Sequence, residues 1–212
     1  MMSQDFSLTK VVAPLKKIIL ARHGITDWNS RRRYLGSSDI PLNEQGRKQA
    51  EELGEAMAQY GLEAVFCSDL RRASHTALEV QQAVKETEGI NLPLIPDARL
   101  REIGFGSIEG WTYEEAMKSY PDEVTRWYEN PDHIPPPGGA ETLAMLRDRV
   151  SRFMQELSGK PYSSVLVVTH GGVINAWLEQ IGAKSFWDTP LGHGEWIECV
   201  KASEDWEVKK PE

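Results

Sequence analysis

Cysteine is scarce in this chain: Cys67 and Cys199 are the two among 212 residues. Two thiols in apolar, strand-like surroundings are too few for a disulfide framework, and they lack the paired spacing of a zinc site. They read as inert buried thiols. Long apolar runs are also missing, so no segment has the ~20 residues that cross a bilayer as a helix. Near the start, the short stretch Val11-Val12-Ala13 is broken by Pro14, which predicts no secretory signal and a cytoplasmic location. Nor is there a surplus of positive charge. The formal net charge of −8 argues against nonspecific binding to nucleic acid or to an anionic membrane surface.

What is present suits an ordinary globular core, with 40% hydrophobic and 26% charged residues. The length fits one domain over 1–212, with 1–16 as an N-terminal extension. No internal repeat or low-complexity tract interrupts it. In so acidic a chain, a pocket for an anionic ligand must concentrate its arginines locally.

Lys16-Lys17-Ile18-Ile19-Leu20-Ala21-Arg22 reads as a strand apolar on both faces, as in a parallel sheet covered by helices. Further strands are expected over 64–67, 92–95, 164–168, 195–200 and 206–209. Helices are expected over 43–60, 70–85, 142–157 and 173–180, the first capped by Asn43 and stopped at Gly61. This alternation predicts an α/β three-layer sandwich with a mostly parallel sheet. The aromatic and acidic segment 111–139 breaks the rhythm. It reads as a helical insertion ending in the rigid turn Pro135-Pro136-Pro137-Gly138-Gly139, its aromatics either packing on the main sheet or stacking a ring-bearing substrate.

Ligands of open α/β sheets bind outside the carboxyl ends of the strands. There the sequence places Arg22-His23-Gly24, then Ser68-Asp69-Leu70-Arg71-Arg72, then Thr169-His170-Gly171-Gly172. Two histidines and at least two arginines thus leave buried strands on one edge. Guanidinium groups grip phosphate oxygens and stay charged, backbone N–H groups at Gly24 and Gly171 offer an anion site, and a neutral imidazole can attack phosphorus. Glu102, in Leu100-Arg101-Glu102-Ile103-Gly104, is the candidate acid for the leaving oxygen.

Arg22-His23-Gly24-Ile25-Thr26-Asp27-Trp28-Asn29 resembles the R-H-G-x-T-x-W-N signature of the histidine phosphatase superfamily, whose fold is phosphoglycerate mutase-like. The likeness continues through Arg33-Tyr34-Leu35-Gly36, Ser68 to Ala73, Leu100-Arg101-Glu102 and Val168 to Gly172, in family order. One departure is visible, since many relatives carry glutamine where Leu35 stands. The resemblance implies His23 as phosphoryl acceptor, with Arg22, Arg72 and His170 holding the phosphate and Glu102 protonating the leaving group. Gly24, Asn29, Arg33 and Gly171 would complete the substrate cradle. It implies no metal and no cofactor.

The expected activity is hydrolysis of a small phosphate monoester, α-ribazole phosphate among the candidates, because Pro136-Pro137-Gly138-Gly139-Ala140-Glu141-Thr142 resembles a stretch of the α-ribazole and broad-specificity phosphatases. A cofactor-dependent phosphoglycerate mutase is the alternative that Arg31-Arg32-Arg33 keeps open. A non-catalytic phosphate-binding protein is a third reading. The expected partner is a small molecule, and a homodimer is compatible with the sequence.

Overall fold

The structure, a computed structural model, describes residues 14–188, 191–203 and 205–209. The expected N-terminal extension lies outside the described residues as far as position 13. Among the described residues one sheet forms in the order β3-β2-β4-β1-β5-β6. Its strands are β1 (Lys17–Arg22), β2 (Ala64–Cys67), β3 (Leu94–Pro96), β4 (Ser164–Thr169), β5 (Trp196–Ala202) and β6 (Asp205–Lys209). The first four pair in parallel, while β5 and β6 are added antiparallel at one side. The expected α/β sandwich with a mostly parallel sheet is therefore present.

Residues on a strand alternate between faces, and here the two sets feed two cores. Ile18, Leu20, Val165 and Val167 meet Leu146, Val150, Phe153 and Ile174 from helices α6 (Leu143–Ser158) and α7 (Gly171–Gln180). Ile19, Ala21, Leu166 and Val168 meet Leu53, Met57, Ala77 and Val80 from α2 (Glu44–Met57) and α3 (Arg71–Glu88). Strands buried on both faces explain the unbroken apolar runs in the sequence. Cys67 and Cys199 are both free and buried, and burial pushes each thiol up to about 12.

Helix ends follow local chemistry. Asn43 accepts from the Gly46 N–H at 2.8 Å and caps α2. That helix stops at Met57, short of the expected 60, and Tyr60 N–H turns back to the Met57 carbonyl. Helix α7 starts at Gly171, two residues earlier than expected. After the short helix α1 (Asp27–Ser30), the insertion supplies α4 (Tyr113–Ser119) and α5 (Pro121–Glu129). Thr112 and Glu115 form a capping box on α4, and Pro121 opens α5. Ile108, Ala116, Val124 and Trp127 give the insertion a small core of its own.

The chain leaves β1 for β2 on one side of the β1–β4 pair, and leaves β4 for β5 on the other. This reversal opens a crevice at the carboxyl ends of β1 and β4.

Candidate active site

Register brings the two histidines together. Arg22 of β1 is paired with Thr169 of β4, so the next residue of each strand leaves the sheet beside the other. His23 N–H donates to the Thr169 carbonyl at 3.0 Å. The rings of His23 and His170 lie 5.0 Å apart at 60°, and their residues are only 3% and 0% exposed.

Their tautomers follow from their partners. His23 Nδ1 lies 2.7 Å from the Gly24 carbonyl oxygen. A carbonyl only accepts, so Nδ1 carries the proton and Nε2 keeps a free lone pair. Arg72 Nε donates to His170 Nδ1 at 3.3 Å. A guanidinium only donates, so the proton of His170 sits on Nε2. Burial, followed by the Arg72 charge, holds both imidazoles well below the usual histidine range. Both are neutral at pH 7.

Arg72 is itself fully buried at the start of α3. It donates to the Ser38 and Gly36 carbonyls at 2.7 Å each. Arg22 Nη1 donates to the Leu191 carbonyl at 2.9 Å, leaving Nε sealed and partnerless. Glu102 follows a 3-10 turn, Ala98–Leu100, whose last carbonyl accepts from Thr169 Oγ1 at 2.7 Å. That bond ties the acid's loop to the end of β4. Glu102 Oε2 then accepts from the Gly172 N–H at 3.2 Å, against the first turn of α7.

A third imidazole stands here that the sequence reading missed. The His193 ring lies 5.4 Å from that of His23, and burial together with the Arg22 charge pushes it down to about 3. Its signal was slight: one histidine between Gly192 and Gly194, just ahead of β5. Around His23, Arg22 Nε, His170 Nε2 and His193 Nε2 are buried without partners. Each such group costs about 1–3 kcal/mol, and the oxygens of a phosphoryl group would satisfy them.

Two expected substrate ligands, Gly24 and Arg33, have their donors engaged elsewhere, and Asn29 has its carbonyl oxygen engaged. The Gly24 N–H donates to Thr76 Oγ1 at 3.2 Å. A Cβ on Gly24 would sit 2.2 Å from the Gly46 carbonyl oxygen, so its role is close backbone packing. Asn29 Oδ1 accepts from the N–H and the hydroxyl of Thr26, closing the cap of α1. Arg33 pairs with Glu115 at 2.7 Å and donates to the Gly110 carbonyl, clasping the insertion. Arg31 and Arg32 are exposed. Gly171 does reach the site, with its Cβ position 3.6 Å from Arg22 Cζ. Leu35, where many relatives carry glutamine, is buried.

A cavity of about 310 Å³ opens beside this cluster. Arg22, Glu102, Gly171 and Gly172 line it. Tyr34, Phe105, Trp127, Tyr128, Phe186 and Trp187 also line it and touch ring to ring as an aromatic wall. Trp127 belongs to the insertion's own small core rather than to the two cores of the main sheet, and it also lines this cavity. Tyr34 and Tyr128 join hydroxyls at 2.7 Å. Trp187, 58% exposed, faces Tyr128 at 6.3 Å. Arg22 is the one cationic side chain among the described lining residues, against the acids Glu102 and Asp188.

The profile of the histidine phosphatase superfamily, branch 1, matches residues 18–212. Phosphoserine phosphatase 1 of Hydrogenobacter thermophilus is 37% identical over 155 residues, 73% of this chain and 70% of that protein. Phosphoglycerate mutase-like protein 4 of Arabidopsis thaliana is 36% identical over 166 residues, 77% of this chain and 70% of the relative. Among solved structures, the α-ribazole phosphatase of Shigella flexneri superposes with a TM-score of 0.81 at 28% identity, covering 92% of this chain and 95% of its own.

Proposed function

This chain belongs to branch 1 of the histidine phosphatase superfamily, and we propose that it hydrolyses phosphate monoesters through a phosphohistidine on His23. One observation carries the reading: Nδ1 of His23 is committed to the Gly24 carbonyl, so Nε2 offers its lone pair among two arginines and the Nε2–H of His170. Nε2 attacks phosphorus, the N–P bond forms and the ester P–O bond breaks. Glu102, as the protonated acid, gives its proton to the departing oxygen. Water then attacks phosphorus while the Glu102 carboxylate takes its proton, the N–P bond breaks, and inorganic phosphate leaves. The arginines supply the positive charge that such a transfer needs, so the reaction runs without a metal.

The cavity supports an ester whose alcohol carries a flat, largely apolar ring. An aromatic wall stabilises such a group by burial and stacking. The carboxylate of phosphoserine or phosphoglycerate would instead meet the acidic Asp188, with Arg22 engaged at the phosphate. α-Ribazole phosphate is one candidate ester, in keeping with the Shigella neighbour. The acidic cavity favours hydrolysis over mutase chemistry.

A screen of phosphate monoesters tests this, run with and without EDTA. It should span ring-bearing esters, phosphoserine and 3-phosphoglycerate. The expected result is phosphate release that favours ring-bearing esters and survives chelation. Interconversion of 2- and 3-phosphoglycerate faster than phosphate release from the best ester would establish a mutase instead.

A further inference from the structure

We propose that His193 is a third imidazole ligand of the transferred phosphoryl group, donating a hydrogen bond from Nε2 to one of its oxygens. This rests on the reading that His23 carries that group.

The first support is stereochemical accounting. A phosphoryl group in transfer spreads its charge over three equatorial oxygens. Among the described residues, the buried polar atoms left without partners around His23 are Arg22 Nε, His170 Nε2 and His193 Nε2. Arg72 donates through Nε, Nη1 and Nη2 to His170, Ser38 and Gly36 and keeps a second N–H on each Nη. His193 Nε2 is the remaining partnerless group, and a phosphoryl oxygen would satisfy it.

The second support is the way the loop is held. Gly194 N–H donates to the carbonyls of both Arg22 and His23, at 3.1 and 3.3 Å. Arg22 Nη1 reaches back to Leu191 at 2.9 Å. Gly192 N–H closes onto Glu195 Oε2 at 2.7 Å. Gly194 has a φ of +78°, and a Cβ there would sit 2.7 Å from Gln49 Cβ. Only glycine fits both constraints. The loop is thus fastened to the nucleophile's own backbone after His193 and to the Arg22 side chain before it. Such fastening fixes a donor against the reacting atoms before substrate arrives, the condition under which an oxyanion ligand acts in catalysis.

Orthovanadate binding tests the proposal, using the full chain and the variants His193→Phe and His193→Gln. Phenylalanine keeps the ring and removes the donor, whereas glutamine replaces the donor. His193→Phe should weaken orthovanadate ~10-fold or more, the scale of one hydrogen bond to a charged group, and His193→Gln should recover most of the loss. Unchanged affinity in folded His193→Phe overturns the proposal. If that variant does not fold, ¹⁵N-histidine NMR of the wild type decides. The His193 Nε2 resonance must shift on orthovanadate addition, and an unmoved resonance overturns the assignment. Rapid-quench trapping of wild-type enzyme with p-nitrophenyl phosphate separates the two readings. An acid-labile phosphoenzyme with unaltered orthovanadate affinity in His193→Phe leaves His23 standing and removes His193, whereas no phosphoenzyme removes the His23 reading itself.

Discussion

Arg72 Nε donates to Nδ1 of His170 across 3.3 Å, and this one bond sets the hydrogen-bonding sense of the pocket. It leaves His170 no choice but to carry its proton on Nε2, aimed away from Arg72. Arg72 also serves the Gly36 and Ser38 carbonyls, which needs a planar fork of donors. Lysine is a point charge on a flexible stem and cannot span all three. Arg72→Lys should therefore lower kcat/KM by ~100-fold or more, the usual cost of a lost transition-state donor. Each stranded acceptor costs about 1–3 kcal/mol, and Tm should fall by roughly 2–4 °C per kcal/mol in a chain of this size. Steady-state kinetics and a thermal melt check both effects. A folded variant with wild-type kcat/KM would contradict this role.

His23→Ala should abolish turnover and leave the fold intact. The side chain makes one hydrogen bond, to its neighbour's carbonyl, so little tertiary structure depends on it. Brief mixing of wild-type enzyme with substrate should trap a phosphoenzyme that is labile to acid and stable to base. The variant should trap none. Substantial activity in purified His23→Ala would reject it as nucleophile.

Neutral histidines link stability to pH. His23 and His170 are held well below the usual value when folded, while in the unfolded chain each titrates near ~6.5. The unfolded state therefore binds more protons once pH drops below ~6.5, so stability is full above that value and falls as pH decreases through it. Each group contributes a slope of up to about 1.4 kcal/mol per pH unit. His170→Gln removes one titration, so its urea midpoint should change less between pH 7 and pH 5 than the wild-type midpoint. An equally steep loss in the variant would show that His170 is not held neutral.

The strands were readable because their evidence is local. Residues 165–168 form a run of β-branched and aliphatic residues, and a central parallel strand buries both faces. The meeting of His23 and His170 needed only the strand ends and the binding-edge rule. What stayed hidden depends on partners distant in sequence. Gly24 looked like an anion cradle, but its N–H already donates to Thr76 Oγ1, far along the chain. Arg33 looked like a phosphate ligand until Glu115 from the insertion claimed it. Asn29 was locally decipherable, since Thr26 and Asn29 stand at cap and third helical positions, a spacing that predicts reciprocal capping. His193 and Trp187 sit in loops without periodicity. Only the tertiary fold brings one to the nucleophile and the other to the cavity wall.

Glu102 is the group through which leaving-group chemistry can be read. Its carboxylate lines the cavity beside Arg22 and is held by the Gly172 N–H at the start of α7. In the proposed mechanism it protonates the departing oxygen. A general acid matters in proportion to how badly the leaving group needs a proton. Alkoxide from an alkyl phosphate needs one strongly, whereas p-nitrophenolate barely does. Glu102→Gln keeps the shape and accepts the Gly172 N–H through its carbonyl oxygen, but it has no acidic proton to give. Phosphorylation of His23 by alkyl esters should slow ~100-fold or more, the common scale for lost acid catalysis. Phosphorylation by p-nitrophenyl phosphate should slow far less. In the proposed mechanism the second half-reaction uses the same carboxylate as base, so steady-state rates would blend the two steps. Rapid mixing isolates the first. Equal losses for both esters in that step would remove Glu102 as the acid and turn attention to Asp188, the other carboxylate lining the cavity.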